Sequence, residues 1–196
     1  GGGIVGVSTA LSLIDKHPDK KILLIDKESS FAKHQTGHNS GVIHSGVYYQ
    51  PGSLKAQFCR EGLKETINFC SINNIPYEQC GKLLVATNQV ELKRMHELHE
   101  RSKSNEISVE VLDQKQLNEI EPNIIGISAL FVKSTGIVDY KLITKKMSEE
   151  FESKGGEFLL NSEVVSLEED KEKIKIITSS ESLNTKYLIC CAGLMA

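Results

Sequence analysis

The first six residues, Gly1-Gly2-Gly3-Ile4-Val5-Gly6, constrain this chain more than any other stretch. They read G-x-G-x-x-G and run directly into a helix-like segment, Val7 to Lys16. That is the turn between a first strand and a first helix in a dinucleotide-binding unit. Gly1 is expected to allow a tight turn, Gly3 to let a pyrophosphate approach the backbone, and Gly6 to let the helix pack closely. The helix N-terminus then offers N–H groups and partial positive charge to the phosphates. Glycine-rich turns are common, so the pattern needs a second half. Lys21 to Ile25 supplies it as a short apolar run suited to a buried parallel strand. It ends in Asp26, about twenty residues beyond the glycines, where this unit places its ribose-binding acid. The competing reading is an ordinary βαβ unit with a surface Asp. The pattern also calls for a strand ahead of Gly1, so the expectation is a truncated sequence or a strand supplied from elsewhere.

With 39% hydrophobic and 25% charged residues the chain has a globular composition. A net charge of -3 gives no basic excess to suggest nucleic acid. No apolar run is long enough to span a bilayer and no signal peptide is visible. The expected location is cytoplasmic, or mitochondrial or inner-membrane-associated if a lost N-terminal segment targets the protein. The five cysteines include no C-x-x-C pair, which reads as reduced thiols. Cys190 and Cys191 lie in an apolar run and are expected in the core.

After Asp26 the densest unusual stretch is His34 to Tyr49, HQTGHNSGVIHSGVYY. Histidines, glycines and small polar residues suit a loop lying against a ligand. His34 and His38 are spaced for chelation only on a helix, which Gly37 opposes, and no acid or thiol completes a set, so no metal site is expected. Ser53 caps a helix that ends at Asn73-Asn74. Gly81 to Thr87 reads as a strand, Gln89 to Ser104 as an amphipathic helix, and Glu106 to Leu112 as a strand. Asp113 caps a short helix, Gln114 to Ile120, and Ile127 to Val132 forms a further strand. Gly136 to Asp139 reads as a turn into the helix Tyr140 to Lys154, closed by Gly155-Gly156. Phe158 to Leu167, Lys173 to Thr178 and a last buried run, Thr185 to Cys191, read as strands. The order gives an α/β fold: a Rossmann-like nucleotide-binding lobe from 1–80 and 139–196, with a mixed sheet and helix lobe inserted at 81–138.

With these stretches in view, the chain resembles the FAD-dependent D-amino-acid-oxidase-like oxidoreductases, and within them the L-2-hydroxyglutarate-oxidising branch. The resemblance rests on His34 to Tyr49, SLKA (Ser53 to Ala56), CGKLLVA (Cys80 to Ala86), Glu121-Pro122, TGIVDY (Thr135 to Tyr140), Gly155-Gly156 and CAGL (Cys191 to Leu194). It implies oxidation of L-2-hydroxyglutarate to 2-oxoglutarate with reduction of FAD, and an electron acceptor that is oxygen or a quinone. Peripheral membrane association is compatible with it. It further implies that Gly1, Gly3, Ile4 and Gly6 hold the pyrophosphate, and that Asp26, with Lys27 beside it, takes the ribose position usually held by Glu. Asn39 and Ser40 would lie along the flavin, Val164 would contact adenine through its backbone, and Ala192-Gly193 would pass close to the cofactor. Family members run roughly as long again beyond CAGL, so the fold is expected to be incomplete at both ends. The alternatives are a relative acting on an amino acid or glycerol 3-phosphate, and an inactive nucleotide-binding fragment.

Oxidising a 2-hydroxy acid requires loss of the hydroxyl proton, and a neutral imidazole suits that role. His44, at the end of the loop, is the candidate base. The competing reading is that it only positions the flavin or a substrate carboxylate, and that the base lies in the half of the family's length expected beyond CAGL. Tyr48 and Tyr49 are candidates for lining the substrate pocket, or for packing and hydrogen bonding at the lobe boundary.

Overall fold

The computed structural model describes residues 1–195 and divides into two compact units. One begins with Gly1–Ser40 and resumes at Asp139; the other is Gly41–Val138. The sequence reading drew its first line at Gly81. The chain changes unit earlier because β2 (Val42–Ile43) and β3 (Tyr77–Glu78) both pair antiparallel with β7 (Gly136–Val138). Those ladders tie the segment after Ser40 to the inserted unit. They also turn Gly136 to Val138, expected as a turn, into a central strand.

In the first unit, α1 (Ile4–Lys16) packs with α5 (Tyr140–Ser153) over a parallel pair, β1 (Leu23–Ile25) and β8 (Glu157–Leu159). The apolar residues of α1 that face inward, Val7, Ala10 and Ile14, recur at helical spacing and meet Leu24 and Phe151. Phe151 is fully buried against Phe158, whose ring also meets Phe31 at 4.8 Å. Truncating such a residue costs about 3–5 kcal/mol. The Gly155-Gly156 pair closes α5: Gly155, at φ +88°, donates to Glu152, and Gly156 donates to Phe151. A side chain at Gly156 would strike the Phe151 ring, so the helix stop and the core share one residue.

Beyond β8 the expected strand Phe158 to Leu167 is broken at Asn161, held at φ +53°. The break separates β8 from a three-stranded antiparallel sheet of β9 (Val164–Glu169), β10 (Ile174–Thr178) and β11 (Ser182–Thr185). The expected buried strand Thr185 to Cys191 does not form. Residues 186–191 pair with no strand among the described residues, and Tyr187 and Ile189 are exposed. Without a neighbouring ladder an apolar run has neither its hydrogen bonds nor its burial. Cys190 is accordingly exposed and Cys191 half-buried, against the core position expected for both.

The second unit holds α2 (Leu54–Ile72) and a second antiparallel sheet, β4 (Leu83–Ala86), β6 (Ser128–Phe131) and β5 (Glu110–Asp113). The helix α3 (Gln89–Ser104) lays Met95, Leu92 and Leu98 against Ala86 and Leu130, and α4 (Gln114–Ile120) lays Leu117 against Leu112 and Ala129. Side chains cap these helices. Ser53 accepts from Ala56, Asn88 from Val90 and Glu91, and Asp113 forms a reciprocal box with Gln116. In the first unit, Asp139 caps α5 by accepting from Lys141. Each such cap is worth about 1 kcal/mol.

Candidate functional site

The helix that starts at the glycine turn is the exception to that capping pattern. Its cap residue is Gly3, which has no side chain to offer. Only Val7 finds a carbonyl, that of Gly3, so the N–H groups of Ile4, Val5 and Gly6 lie ahead of the helical ladder. One of them is satisfied at long range: Ile4 N–H donates to Thr36 Oγ1 at 2.9 Å. A Cβ built on Gly3 meets nothing nearer than that hydroxyl, at 3.3 Å, so the backbone is bare on this side.

The other two glycines of the motif are closed in by backbone. A side chain at Gly6 would run into the Gly1 carbonyl and come within 3.3 Å of Cys191 Cβ. A side chain at Gly1 would run into the Cys191 carbonyl and lie 3.6 Å from Ala192 Cα. The requirement at Gly1 is therefore steric. The same contacts bring Cys191-Ala192 against the turn; Ala192 and Gly193 are exposed there.

Asp26 follows β1 and is half-buried. Its Oδ2 accepts from Gly2 N–H and its Oδ1 accepts from Glu28 N–H at 2.7 Å. The carboxylate thus ties the end of β1 to the glycine turn, and a carboxylate with about four acceptor sites has capacity left for further donors. Gly2 in turn accepts at its carbonyl from Ala32 N–H at 3.0 Å. Lys27 is exposed. The Asp26 carbonyl accepts from Ser162 and that of Glu28 from Asn161, so the break before β9 folds against the residues after β1. Val164 opens β9 from that break and is 43% exposed.

A 3-10 turn, Gln35–Gly37, carries the third edge. It supplies Thr36 to α1, and Asn39 Nδ2 donates to the carbonyls of Gln35 and Thr36. Asn39 and Ser40 are exposed at its end. His34 Nε2 donates to Glu28 Oε1 at 2.9 Å, and His38 Nδ1 donates to the His34 carbonyl. These histidines are bound to protein acceptors, one a carboxylate and one a carbonyl. The structure thus brings together Gly1, Gly3, Ile4, Gly6, Asp26, Cys191 and Ala192. It adds Glu28, to which the sequence reading gave no site role, and gives individual partners to Thr36 and His34, which that reading placed only within a loop lying against a ligand. Thr36 is marked only by a pairing with Ile4 across the chain, and Glu28 and His34 by one within the loop that follows no helix or strand period.

His44, Tyr48 and Tyr49 belong to the second unit. His44 is the exposed member of a run in which Ile43, Ser45, Gly46 and Val47 are buried. Its backbone is held, because its carbonyl accepts from the Cys59 thiol at 3.2 Å. Burial pushes the Cys59 thiol up, which keeps the proton that makes this bond. The Tyr49 carbonyl accepts from Asn105 at 2.8 Å and the Tyr48 carbonyl from Arg101 at 3.4 Å, at the end of α3. Lys82 Nζ sits 4.7 Å from the Tyr48 ring centre. Both tyrosines remain partly exposed, at 50% and 37%.

A bare helix start, a glycine turn without side chains and an adjoining carboxylate fit the pyrophosphate and ribose of a dinucleotide. An exposed imidazole on a fixed backbone fits proton transfer.

Comparison with known proteins gives the family. Residues 1–196 match the family described as FAD dependent oxidoreductase. The chain is 52% identical over 197 residues to an L-2-hydroxyglutarate dehydrogenase of Escherichia coli O17:K52:H18, covering 100% of this chain and 47% of that protein. It is 45% identical to the protein of that name from Indibacter alkaliphilus, covering 99% and 49%, and 42% identical to a mitochondrial one from Caenorhabditis briggsae, covering 100% and 47%. The chain therefore spans about half the length of the curated relatives it matches. Among solved structures, L-alpha-glycerophosphate oxidase from Mycoplasma pneumoniae, with FAD bound, superposes at a TM-score of 0.81 and 24% identity, over 92% of this chain and 48% of that one. Glycine oxidase from Bacillus cereus superposes at 0.82 and 22% identity, over 95% and 52%. At those identities the likeness is one of fold.

Proposed function

Because the chain belongs to the FAD-dependent oxidoreductase family, we propose that its first unit holds the FAD of an enzyme that oxidises L-2-hydroxyglutarate to 2-oxoglutarate. The observation that carries the cofactor reading is the start of α1, capped by a bare Gly3 and set beside Asp26. The substrate reading draws its support from relatives of 42–52% identity that carry that name. Bound FAD supplies a two-electron acceptor for the hydride that leaves the hydroxyl-bearing carbon.

This chain's residues do the rest. Gly1, Gly3, Ile4 and Gly6 present backbone to the pyrophosphate, and Asp26, beside Lys27, accepts from the ribose hydroxyls. Asn39 and Ser40 lie along the flavin, Val164 meets adenine through its backbone, and Ala192-Gly193 flank the turn. In the second unit His44 takes the hydroxyl proton, because an imidazole ring nitrogen with a free lone pair can accept it. Tyr48 and Tyr49 face the 2-hydroxy acid. The electron acceptor of such an enzyme would be oxygen or a quinone.

The test is anaerobic reduction of the full-length protein. L-2-hydroxyglutarate should bleach the flavin band and yield 2-oxoglutarate in equal amount, while the D-enantiomer, glycine and glycerol 3-phosphate leave it unchanged. Bleaching by glycerol 3-phosphate or an amino acid, with none by L-2-hydroxyglutarate, overturns the substrate.

A further inference from the structure

Glu28 is the residue on which three segments of the first unit converge. Its N–H donates to Asp26 Oδ1 at 2.7 Å, its carbonyl accepts from Asn161 at 2.9 Å, and its Oε1 accepts from His34 Nε2 at 2.9 Å. The first bond belongs to the residues after β1, the second to the break before β9. The third reaches the turn at Gln35–Gly37, which His34 precedes as its cap residue.

That third bond is the one with a consequence at the glycine motif. The turn that His34 opens delivers Thr36 Oγ1 to the first N–H of α1, and its last residue, Gly37, donates back to the His34 carbonyl at 2.9 Å. Gly37 is itself pressed against the Ala32 carbonyl, and Ala32 sits at φ +59° with its N–H on Gly2. Between Glu28 and Thr36 the inward anchors are Phe31, packed on Phe158, and Ala32, while Ser29, Ser30, Lys33, His34 and Gln35 are all exposed. The His34 side chain is thus the pin that spans this segment from outside, while Phe31 and Ala32 hold it from within.

We propose that the Glu28–His34 pair is a latch that positions the dinucleotide turn, fixing Thr36 on α1 and Asp26 beside Gly2 before FAD arrives. Neither side chain is assigned to the cofactor itself; both act through Thr36 and Asp26 as positioning residues. The inference rests on the FAD reading above. The pair is modest in strength, because His34 is 64% and Glu28 33% exposed, and water screens such bonds. Its value is in preorganisation: a turn already held in place loses less conformational freedom when the ligand binds. A neutral imidazole donates through Nε2–H as well as a charged one, so the latch needs a hydrogen bond and not a net charge.

The experiment is a double-mutant cycle in the full-length protein, stripped of flavin and titrated with FAD. Glu28→Ala and His34→Ala should each weaken FAD binding by about two- to fivefold. The double variant should bind no worse than the weaker single one, since either substitution opens the same latch. Glu28→Gln, whose amide oxygen still accepts from Nε2–H, should restore most of the affinity. Without FAD, both alanine variants should be cleaved faster by trypsin at Lys33, and Glu28→Gln should not. Unchanged affinity in both singles, or multiplied losses in the double, overturns the latch. A loss in Glu28→Ala with none in His34→Ala assigns Glu28 a direct contact and also overturns it. A parent protein that takes up no FAD at all overturns the cofactor reading and the latch with it, an outcome distinct from the others.

Discussion

Residues 34–40 and 41–49 are adjacent and read in sequence as a single loop. In the structure they part company. The first segment is bonded through its side chains: His34 to Glu28, Thr36 to Ile4, Asn39 to the carbonyls of Gln35 and Thr36. The second is held through its backbone, by Cys59 on His44, Arg101 on Tyr48 and Asn105 on Tyr49, which leaves the His44 imidazole and both tyrosine rings partly or wholly exposed. Side chains bonded into the fold set the geometry of a site. Side chains exposed on a fixed backbone are free to meet a reactant. Substitutions in the first segment and its partners should therefore act on cofactor binding, and those in the second on turnover.

The largest expected effect is at His44. In the full-length enzyme His44→Ala should lower kcat about a hundredfold or more, the usual scale for a lost general base, with FAD still bound. Steady-state kinetics at saturating substrate check it. A kcat within a few-fold of the parent removes His44 from the base role. Loss of flavin instead would place it with the first segment and erase the contrast between the two.

Next in size is Asp26. Charge-assisted bonds from ribose hydroxyls are worth roughly 1.5–3 kcal/mol, so Asp26→Ala should weaken FAD binding about tenfold or more. Lys27→Ala, at an exposed neighbour, should do much less. Titration of the flavin-free protein with FAD gives both numbers. Equal affinity in Asp26→Ala and the parent would reduce Asp26 to its bonds with Gly2 and Glu28.

The contrast also marks what the sequence conveys. Local signals were legible: the caps at Ser53 and Asp113, the stop at Gly155-Gly156 and the helix Gln89–Ser104 all follow from residues within one or two turns. So was the short strand that ends just before Asp26, because its apolar run stands out from the polar residues after it. Features made by distant partners were not. Val42–Ile43 and Tyr77–Glu78 are too short to show a period, and become strands only because Gly136–Val138 lies between them. Asn161 divides a run that alternates like one strand, through a backbone angle its neighbours do not announce. The run 185–191 has the composition of a buried strand, but beyond Thr185 it has no ladder to join among the described residues. Thr36 escaped notice for the same reason: its partner is the first N–H of a helix far back in the chain.

The central claim is that the uncapped glycine turn beside Asp26 is a seat for FAD. The direct measurement is to denature the full-length protein and take absorption spectra of the supernatant and the pellet, since flavin linked covalently stays with the polypeptide. A flavin spectrum in either fraction, identified as FAD, is the expected result. No flavin in either fraction, with NAD retained instead, would contradict it.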